Sequence, residues 1–373
     1  MKVRFGIVGL GAMGAAHART LLEGKIPRAV LTAVCDVNSE AVKRFPDLRA
    51  FTQSDELFRS GEVDAVLIAT PHYSHVPEGI AALQAGLHVL VEKPLAVHKA
   101  DCERLLAAHR PGRQVFAEMF NQRTDPLYAK LRELIINGEL GALRRIQWTV
   151  TDWFRPAAYY RSGGWRATWA GEGGGVLLNQ CPHNLDLWQW LFGMPDTVRT
   201  FASLGRYHDI EVEDDVTAYF GYRDGTNGVF ITSTGEAPGT NRLEVAAERG
   251  RVVIEHGKIS FTQNEVPMSE FSRTTPGMFD RPPNREVEIK IEGTAPQHAG
   301  IMKNFVDAIL DNAPLLAPAS EGIRSVELAN AMLLSSFANE TITLPLDGAR
   351  YEAWLEKRIA ESKAKILGAI RPN

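Results

Sequence analysis

The sequence predicts two domains of different class: a parallel α/β sheet covered by helices, then an α+β domain of antiparallel strands. Three observations predict this. The chain of 373 residues, 45% hydrophobic and 23% charged, is longer than one core usually grows before it divides. Its first third alternates short β-branched runs with amphipathic stretches, the pattern of strands joined by crossover helices. Past Arg123 the strand-like runs are instead separated by hairpin-type turns.

Taken in order, residues 3–8, 30–35, 63–69, 88–91 and 114–118 read as strands, and a helix follows Met13. Between the first strand and that helix lies GLGAMG, with Gly9, Gly11 and Gly14 in the GxGxxG spacing. Gly9 allows a tight turn, Gly11 lets a pyrophosphate approach the backbone, and Gly14 lets the helix pack closely on the strand. Phosphates would rest on the N–H groups at Ala12 and Met13, where the helix starts. A turn of small residues with no ligand is the plain alternative. Here, however, Asp36 ends the second strand, where a carboxylate accepts the ribose hydroxyls. Residues 1–121 are therefore read as a Rossmann dinucleotide-binding domain. Asp36 repels a 2′-phosphate and is followed by Val37 and Asn38 rather than arginine, which favours NAD over NADP. Lys43 and Arg44, on the next helix, pull the other way.

Thr70 and Pro71 end the strand at 63–69 at the carboxyl edge, where open α/β sheets bind ligands, although an ordinary strand-ending turn fits them equally. His75 falls at the next helix start, as a cofactor contact or as a packing or capping residue. Glu92, Lys93 and Pro94 follow the apolar run HVLV, so Lys93 projects from the sheet edge toward the nicotinamide end of a cofactor. A lysine at a strand end is often merely solvated. Asn121 and Arg123 follow the strand at 114–118 and are candidates for the nicotinamide pocket; surface or domain-junction packing serves Arg123 equally well.

In the second domain, residues 122–373, Val216, Ala218, Phe220 and Tyr222 share one strand face. Asp224-Gly225, Arg249-Gly250 and His256-Gly257 read as hairpin turns. Helices near 297–311 and 321–339 are expected to cover one face of the sheet, and the stretch 264–286, rich in proline, serine and threonine, reads as a long surface loop. The segment GGGVLLNQCPHNLDLWQWL, at 173–191, puts Asn179, His183 and Asp186 on one helical face and Leu177, Cys181, Trp188 and Leu191 on the other. Pro182 belongs in a first helical turn, so the regular helix should begin near Gln180 or Cys181, with Asn179 as a cap and a wall of the site. A lone helical histidine is more often structural than catalytic. The glycines before it would let a ligand or another backbone come close. Tyr160, Trp165 and Arg166 lie just upstream, as sugar platforms or as core, and His298 would approach from the later helix.

GLGAMG, Cys35-Asp36, ATP at 69–71, EKPLA at 92–96, the GGG-to-HNLD segment, NGELG at 137–141 and SEGIRSVELANAMLLSS at 320–336 together resemble the Gfo/Idh/MocA family of oxidoreductases over almost the whole chain. The resemblance implies a second domain built on a large open antiparallel sheet covered by helices, metal-free chemistry on sugars or cyclitols, and homodimers or homotetramers. It maps Lys93 and His183 onto a catalytic lysine and histidine, and Trp165-Arg166 onto a loop near cofactor and substrate, with Glu92 beside them. Many members carry an aspartate where this chain has Asn179. An amide cannot take a proton, which leaves open whether His183 or Lys93 is the base.

The activity expected is NAD-dependent oxidation of a secondary hydroxyl of a sugar, glycoside or cyclitol. His183 would act as base, Lys93 would bond the substrate oxygen, and Asp186 would orient His183 or hold a hydroxyl. A glycosidase working by transient oxidation and elimination shares the first step, and a non-catalytic dinucleotide sensor is the third reading. A net charge of −4 gives no broad basic surface, so neither nucleic acid nor membrane is an expected partner. Cys35, Cys102 and Cys181 have no zinc-site spacing and no HExxH occurs, so no metal is expected. With no signal-peptide core and no run of about 18 apolar residues, a cytoplasmic location is expected.

Overall fold

The computed structural model describes residues 2–370, with side chains to residue 362. The first domain runs β1 (Val3–Val8), α1 (Ala12–Leu22), β2 (Ala29–Cys35), α2 (Ser39–Val42), β3 (Arg49–Phe51), α3 (Ser54–Arg59), β4 (Ala65–Ile68), α4 (His75–Gln84), β5 (His88–Val91), α5 (Lys99–Ala108) and β6 (Phe116–Glu118). Its six strands pair in parallel in the order β3-β2-β1-β4-β5-β6. Helices cover both faces, so β4 and, past His88, β5 are buried and read as apolar runs without alternation. Strand order reverses between β1 and β4, and the crevice at that switch point is bordered by Gly9 and Thr70.

Gly9 turns the chain there with φ 89. A Cβ on Gly14 would run into the Gly9 carbonyl oxygen, so only glycine lets α1 lie this close to the loop. A Cβ on Gly11 would meet nothing within 4 Å. One glycine is required by the fold; the other borders open space.

The second domain continues through α6 (Pro126–Ile136), β7 (Leu143–Val150), α7 (Ala157–Arg161), α8 (Val176–Asn179), α9 (Pro182–Phe192), β8 (Thr197–Leu204), β9 (Glu213–Gly221), β10 (Asn227–Ser233), β11 (Asn241–Ala247), β12 (Gly250–Glu255) and β13 (Lys258–Asn264). It ends with α10 (Met268–Thr274), β14 (Asn284–Val287), α11 (Gln297–Asp311), α12 (Ala319–Ala338), β15 (Ile342–Thr343) and α13 (Gly348–Ile370). The nine strands are ordered β14-β13-β12-β11-β7-β10-β9-β8-β15. The three expected turns join β9 to β10, β11 to β12 and β12 to β13.

Four expectations need correction. The large sheet is mixed: β7 and β10 pair in parallel, because the chain leaves β7 through α7–α9, re-enters near the far edge and meanders back. The stretch 264–286 holds α10 and the start of β14, which pairs with β13 at the sheet edge. Helix α11 covers the first sheet: Ile301, Met302, Phe305 and Val306 share a core with Phe5, Ile7 and Leu90. Helix α12 serves both domains, with Val326 against the other face of the parallel sheet and Leu328, Met332 and Leu333 in the core with Trp148 and Phe220. Finally, Asn179 ends the separate turn α8. Cys181 occupies the N-cap of α9, so Asn179 does not cap it.

The contrast between two glycines is testable. Gly14→Ala is expected to cost on the order of 1–3 kcal/mol in denaturant unfolding, because backbone must move to admit the methyl group. Gly11→Ala is expected to unfold like the parent yet bind NADH more weakly in a fluorescence titration. Equal binding by Gly11→Ala and the parent would count against a pyrophosphate passing there.

Candidate active site

Lys93 leaves the carboxyl end of β5, and its Nζ donates to the Asn179 carbonyl oxygen at 2.6 Å, across the domain junction. Burial holds its ammonium below the usual lysine value. Glu92 and His75 are both engaged within the protein. The Glu92 carboxylate is buried, with Oε1 2.6 Å from His17 Nε2 and Oε2 accepting from the Lys93 N–H at 3.2 Å. Burial alone would raise the Glu92 carboxyl, but the His17 hydrogen bond and nearby positive charge bring it down to about 2. His75 places its ring nitrogens 2.7 Å from the Pro94 oxygen and 2.9 Å from the Thr70 oxygen, tying together the loops after β4 and β5.

Helix α9 presents His183 one turn beyond Asn179, its ring edge-on to Phe120 at 6.2 Å. Its Nδ1 is buried with no partner among the described residues. Burial, reinforced by the charge on Lys93, pushes the imidazole down to about 3, which favours the neutral ring. Asp186 does not join it. Its carboxylate takes Arg123 Nε at 2.8 Å and Nη2 at 2.5 Å, plus Gln189 Nε2 at 3.0 Å. Arg123 also reaches the Leu316 oxygen at 2.8 Å and Glu321 at 2.5 Å, and both side chains of the Arg123–Asp186 pair are only 1% exposed. Asp186 and Arg123 are therefore a buried clamp, neither an orienter of His183 nor a nicotinamide contact. The polar face of α9 packs into the junction, where ionised groups must pair.

The segment from α7 to α8 closes the crevice. Tyr159, not Tyr160, faces the site: its hydroxyl accepts from Arg166 Nη1 at 2.9 Å and from Gln180 Nε2 at 3.3 Å, and lies 3.4 Å from Asn179 Oδ1. Tyr160 turns away, bonding Thr234 at 2.8 Å and packing on His208. Arg166 lies over both the Tyr159 and Trp165 rings at 4.7 Å, and Trp165 meets His72 edge-on at 5.6 Å. The side chain of Asn179 donates to the buried Glu172. His298, on α11, sits 5.3 Å from His17, and burial lowers its imidazole as well. Sequence reading missed His17, His72, Tyr159 and Glu172. His17 could have been found from its place three residues past Gly14 on α1, but nothing local separates Tyr159 from Tyr160.

The residues at the switch point fit a dinucleotide. The Asp36 carboxylate is anchored at the rim of the glycine loop, accepting the Leu10 N–H at 2.6 Å and the Asn38 N–H at 2.8 Å. Ala12, Met13 and Val37 are exposed around it. Thr70 Oγ1 and Asn121 Oδ1 are buried with no partner among the described residues, two polar atoms available to a ligand at the crevice. Asn121 Nδ2 is held by Gln297. Arg44 reaches back to the Leu10 carbonyl, beside the same loop. No group of His, Cys, Asp and Glu placed to share a metal ion occurs among the described residues, and none of their helices is long and apolar enough to cross a membrane.

Residues 3–119 match the family model described as oxidoreductase family, NAD-binding Rossmann fold, and residues 128–253 match the GFO/IDH/MocA C-terminal domain. Myo-inositol 2-dehydrogenase of Thermotoga maritima is 27% identical over 267 residues, covering 68% of this chain and 75% of the relative. The WlbA dehydrogenase of Bordetella pertussis, solved with NADH and UDP-GlcNAcA, superposes with TM-score 0.78 at 25% identity, over 93% of this chain and 100% of that one. Levoglucosan dehydrogenase with NADH and levoglucosan superposes at 0.76 with 20% identity, covering 93% of this chain and 100% of that one, and shows the shared fold.

The clamp assignment separates stability from catalysis. Asp186→Ala leaves the Arg123 guanidinium buried beside Glu321 alone, and the expected cost is about 3 kcal/mol in denaturant unfolding. A variant as stable as the parent but impaired in substrate binding would restore Asp186 to the substrate site.

Proposed function

The chain belongs to the Gfo/Idh/MocA family of NAD-binding oxidoreductases, and from that premise we propose that it oxidises a secondary hydroxyl of a sugar, glycoside or cyclitol, using NAD in preference to NADP. The observation that carries the reading is the meeting of Lys93 with the chain one turn before His183, at the mouth of the dinucleotide crevice. The relatives named for inositol, levoglucosan and a nucleotide sugar support the polyol class. Asp36 at the ribose end supports NAD. The cytoplasm and a homodimer or homotetramer belong to the same reading.

The site would work as follows. The glycine loop and Asp36 hold the dinucleotide, and Thr70 and Asn121 offer polar atoms near its reactive end. The nicotinamide, when bound, supplies the acceptor for the hydride. Lys93 is the base. Burial moves its ammonium in the direction that favours the neutral amine, whereas an imidazole at about 3 stores a proton poorly. His183, neutral, bonds the reacting hydroxyl and fixes its direction, and its unpartnered Nδ1 is consistent with a group waiting for a ligand. Tyr159, Trp165 and Arg166 form the wall against which a sugar ring would lie.

The test is NAD reduction, followed as NADH absorbance, over a panel of monosaccharides, cyclitols and glycosides. Lys93→Ala is expected to lose roughly 10²–10⁴-fold in turnover while still binding NADH. In the parent, kcat/KM should rise with pH along one limb as the Lys93 ammonium deprotonates. That limb should stay in place in His183→Asn, whose lost group does not titrate there, and be absent from Lys93→Ala. Full turnover in Lys93→Ala would overturn the assignment. Aglycone release without net NADH would move the protein to the oxidation-elimination glycosidases.

A further inference from the structure

We propose that Glu172 is the positioning carboxylate that sets the charge state of Lys93, acting through Asn179; the catalytic meaning of this rests on the reading of Lys93 as base. The two ends of Asn179 link the groups. Its backbone oxygen takes the Lys93 ammonium at 2.6 Å, and its side-chain Nδ2 donates to Glu172 Oε1. Glu172 Oε2 accepts the Ala167 N–H at 2.7 Å, and Arg166 Nη1 stands 3.9 Å from Oε1. Burial, with the side chain only 2% exposed, raises the carboxyl above its usual range, and the N–H that each oxygen receives, together with Arg166 and Lys93, opposes that rise.

The backbone around Glu172 is shaped to hold it. Ala167, which aims its N–H at the carboxylate, has φ 53, in the left-handed region that a residue with a Cβ rarely adopts. A Cβ on Gly171 would strike the Trp165 carbonyl, and one on Gly173 would strike Val97. Glycines on both sides of Glu172 are therefore required by close approach. The chain wraps a carboxylate rather than an apolar plug.

Lys93 faces a second carboxylate and several neutral groups. Just past the end of β5 comes Glu92, ionised and the larger negative influence on the ammonium, held on the opposite face by His17 at 2.6 Å. From the turn after β4 come His72 and His75, from α9 His183, and from α11 His298, all imidazoles that burial holds below their usual value. Burial pushes the Cys181 thiol up to about 12, leaving it neutral. Arg166, from the same loop, opposes the carboxylate. Glu172 supplies negative charge on the α9 side of the ammonium, and a nearby negative charge favours the protonated amine. Its removal should therefore make Lys93 easier to deprotonate.

The test reads Lys93 directly: the pH dependence of its acetylation by acetic anhydride, quantified by mass spectrometry, in the parent, Glu172→Gln, Asn179→Asp and the double variant. The midpoint is expected to fall by about one pH unit in Glu172→Gln. It should rise in Asn179→Asp and return toward the parent in the double variant, which moves the carboxylate to the other end of the same hydrogen bond. In each active variant the limb in kcat/KM should shift in the same direction as the midpoint. A folded Glu172→Gln with an unmoved midpoint would overturn the proposal; should that variant fail to fold, an unmoved midpoint in Asn179→Asp would do so. The labelling needs neither substrate nor cofactor. A protein inactive on every polyol but showing these shifts would sink the dehydrogenase reading and leave the role of Glu172 standing.

Discussion

Burying α9 on every side, between the large sheet and the parallel-sheet domain, forces its polar groups to find partners across the junction. The rest of the site follows from that constraint. Asp186 is ionised in a region with almost no solvent, so it is clamped by Arg123 from the turn after β6, and Arg123 in turn recruits Glu321 at the start of α12. Seven residues before Asp186, the Asn179 carbonyl, at the end of α8, takes the ammonium of Lys93 from the end of β5. Two hydrogen-bonded ties from the same stretch of chain thus fix how the domains meet. The crevice between the ties keeps its geometry because breaking either would leave a charge or a carbonyl buried without a partner.

The same burial sets the chemistry. Removing an imidazole from water disfavours its charged form, so a histidine that spacing alone casts as the proton acceptor is held neutral, while a lysine is brought toward the range in which it can release a proton. The division of labour between them was open in the sequence because it depends on solvent exclusion, which has no local signature. Braces behind the site matter for the same reason. His17 pairs with Glu92, and His75 sits between the Thr70 and Pro94 carbonyls, so the loops after β4 and β5 are held from behind the site.

Much of the first domain was legible because its signals are local. GLGAMG, the apolar runs that become β4 and β5, and the carboxylate ending β2 are each fixed by backbone geometry or by burial on two faces. The misreadings share one origin. Helix α11 shows an apolar stripe that would suit either sheet; its partner is the parallel one, whose strands lie in the first third of the chain. Asp186 has the right spacing to accompany His183, but spacing does not reveal that Arg123 lies against it. Tyr159 and Tyr160 differ only in which side of a short helix meets the site.

The sequence by itself determined the class of each domain, the dinucleotide loop, and the identity of Lys93 and His183 as the groups to watch, because periodicity, glycine geometry and residue chemistry act over a few residues. Only the tertiary structure decided which polar groups are paired with one another and which are left free. That outcome depends on contacts between segments remote in sequence, and on how much water each contact excludes.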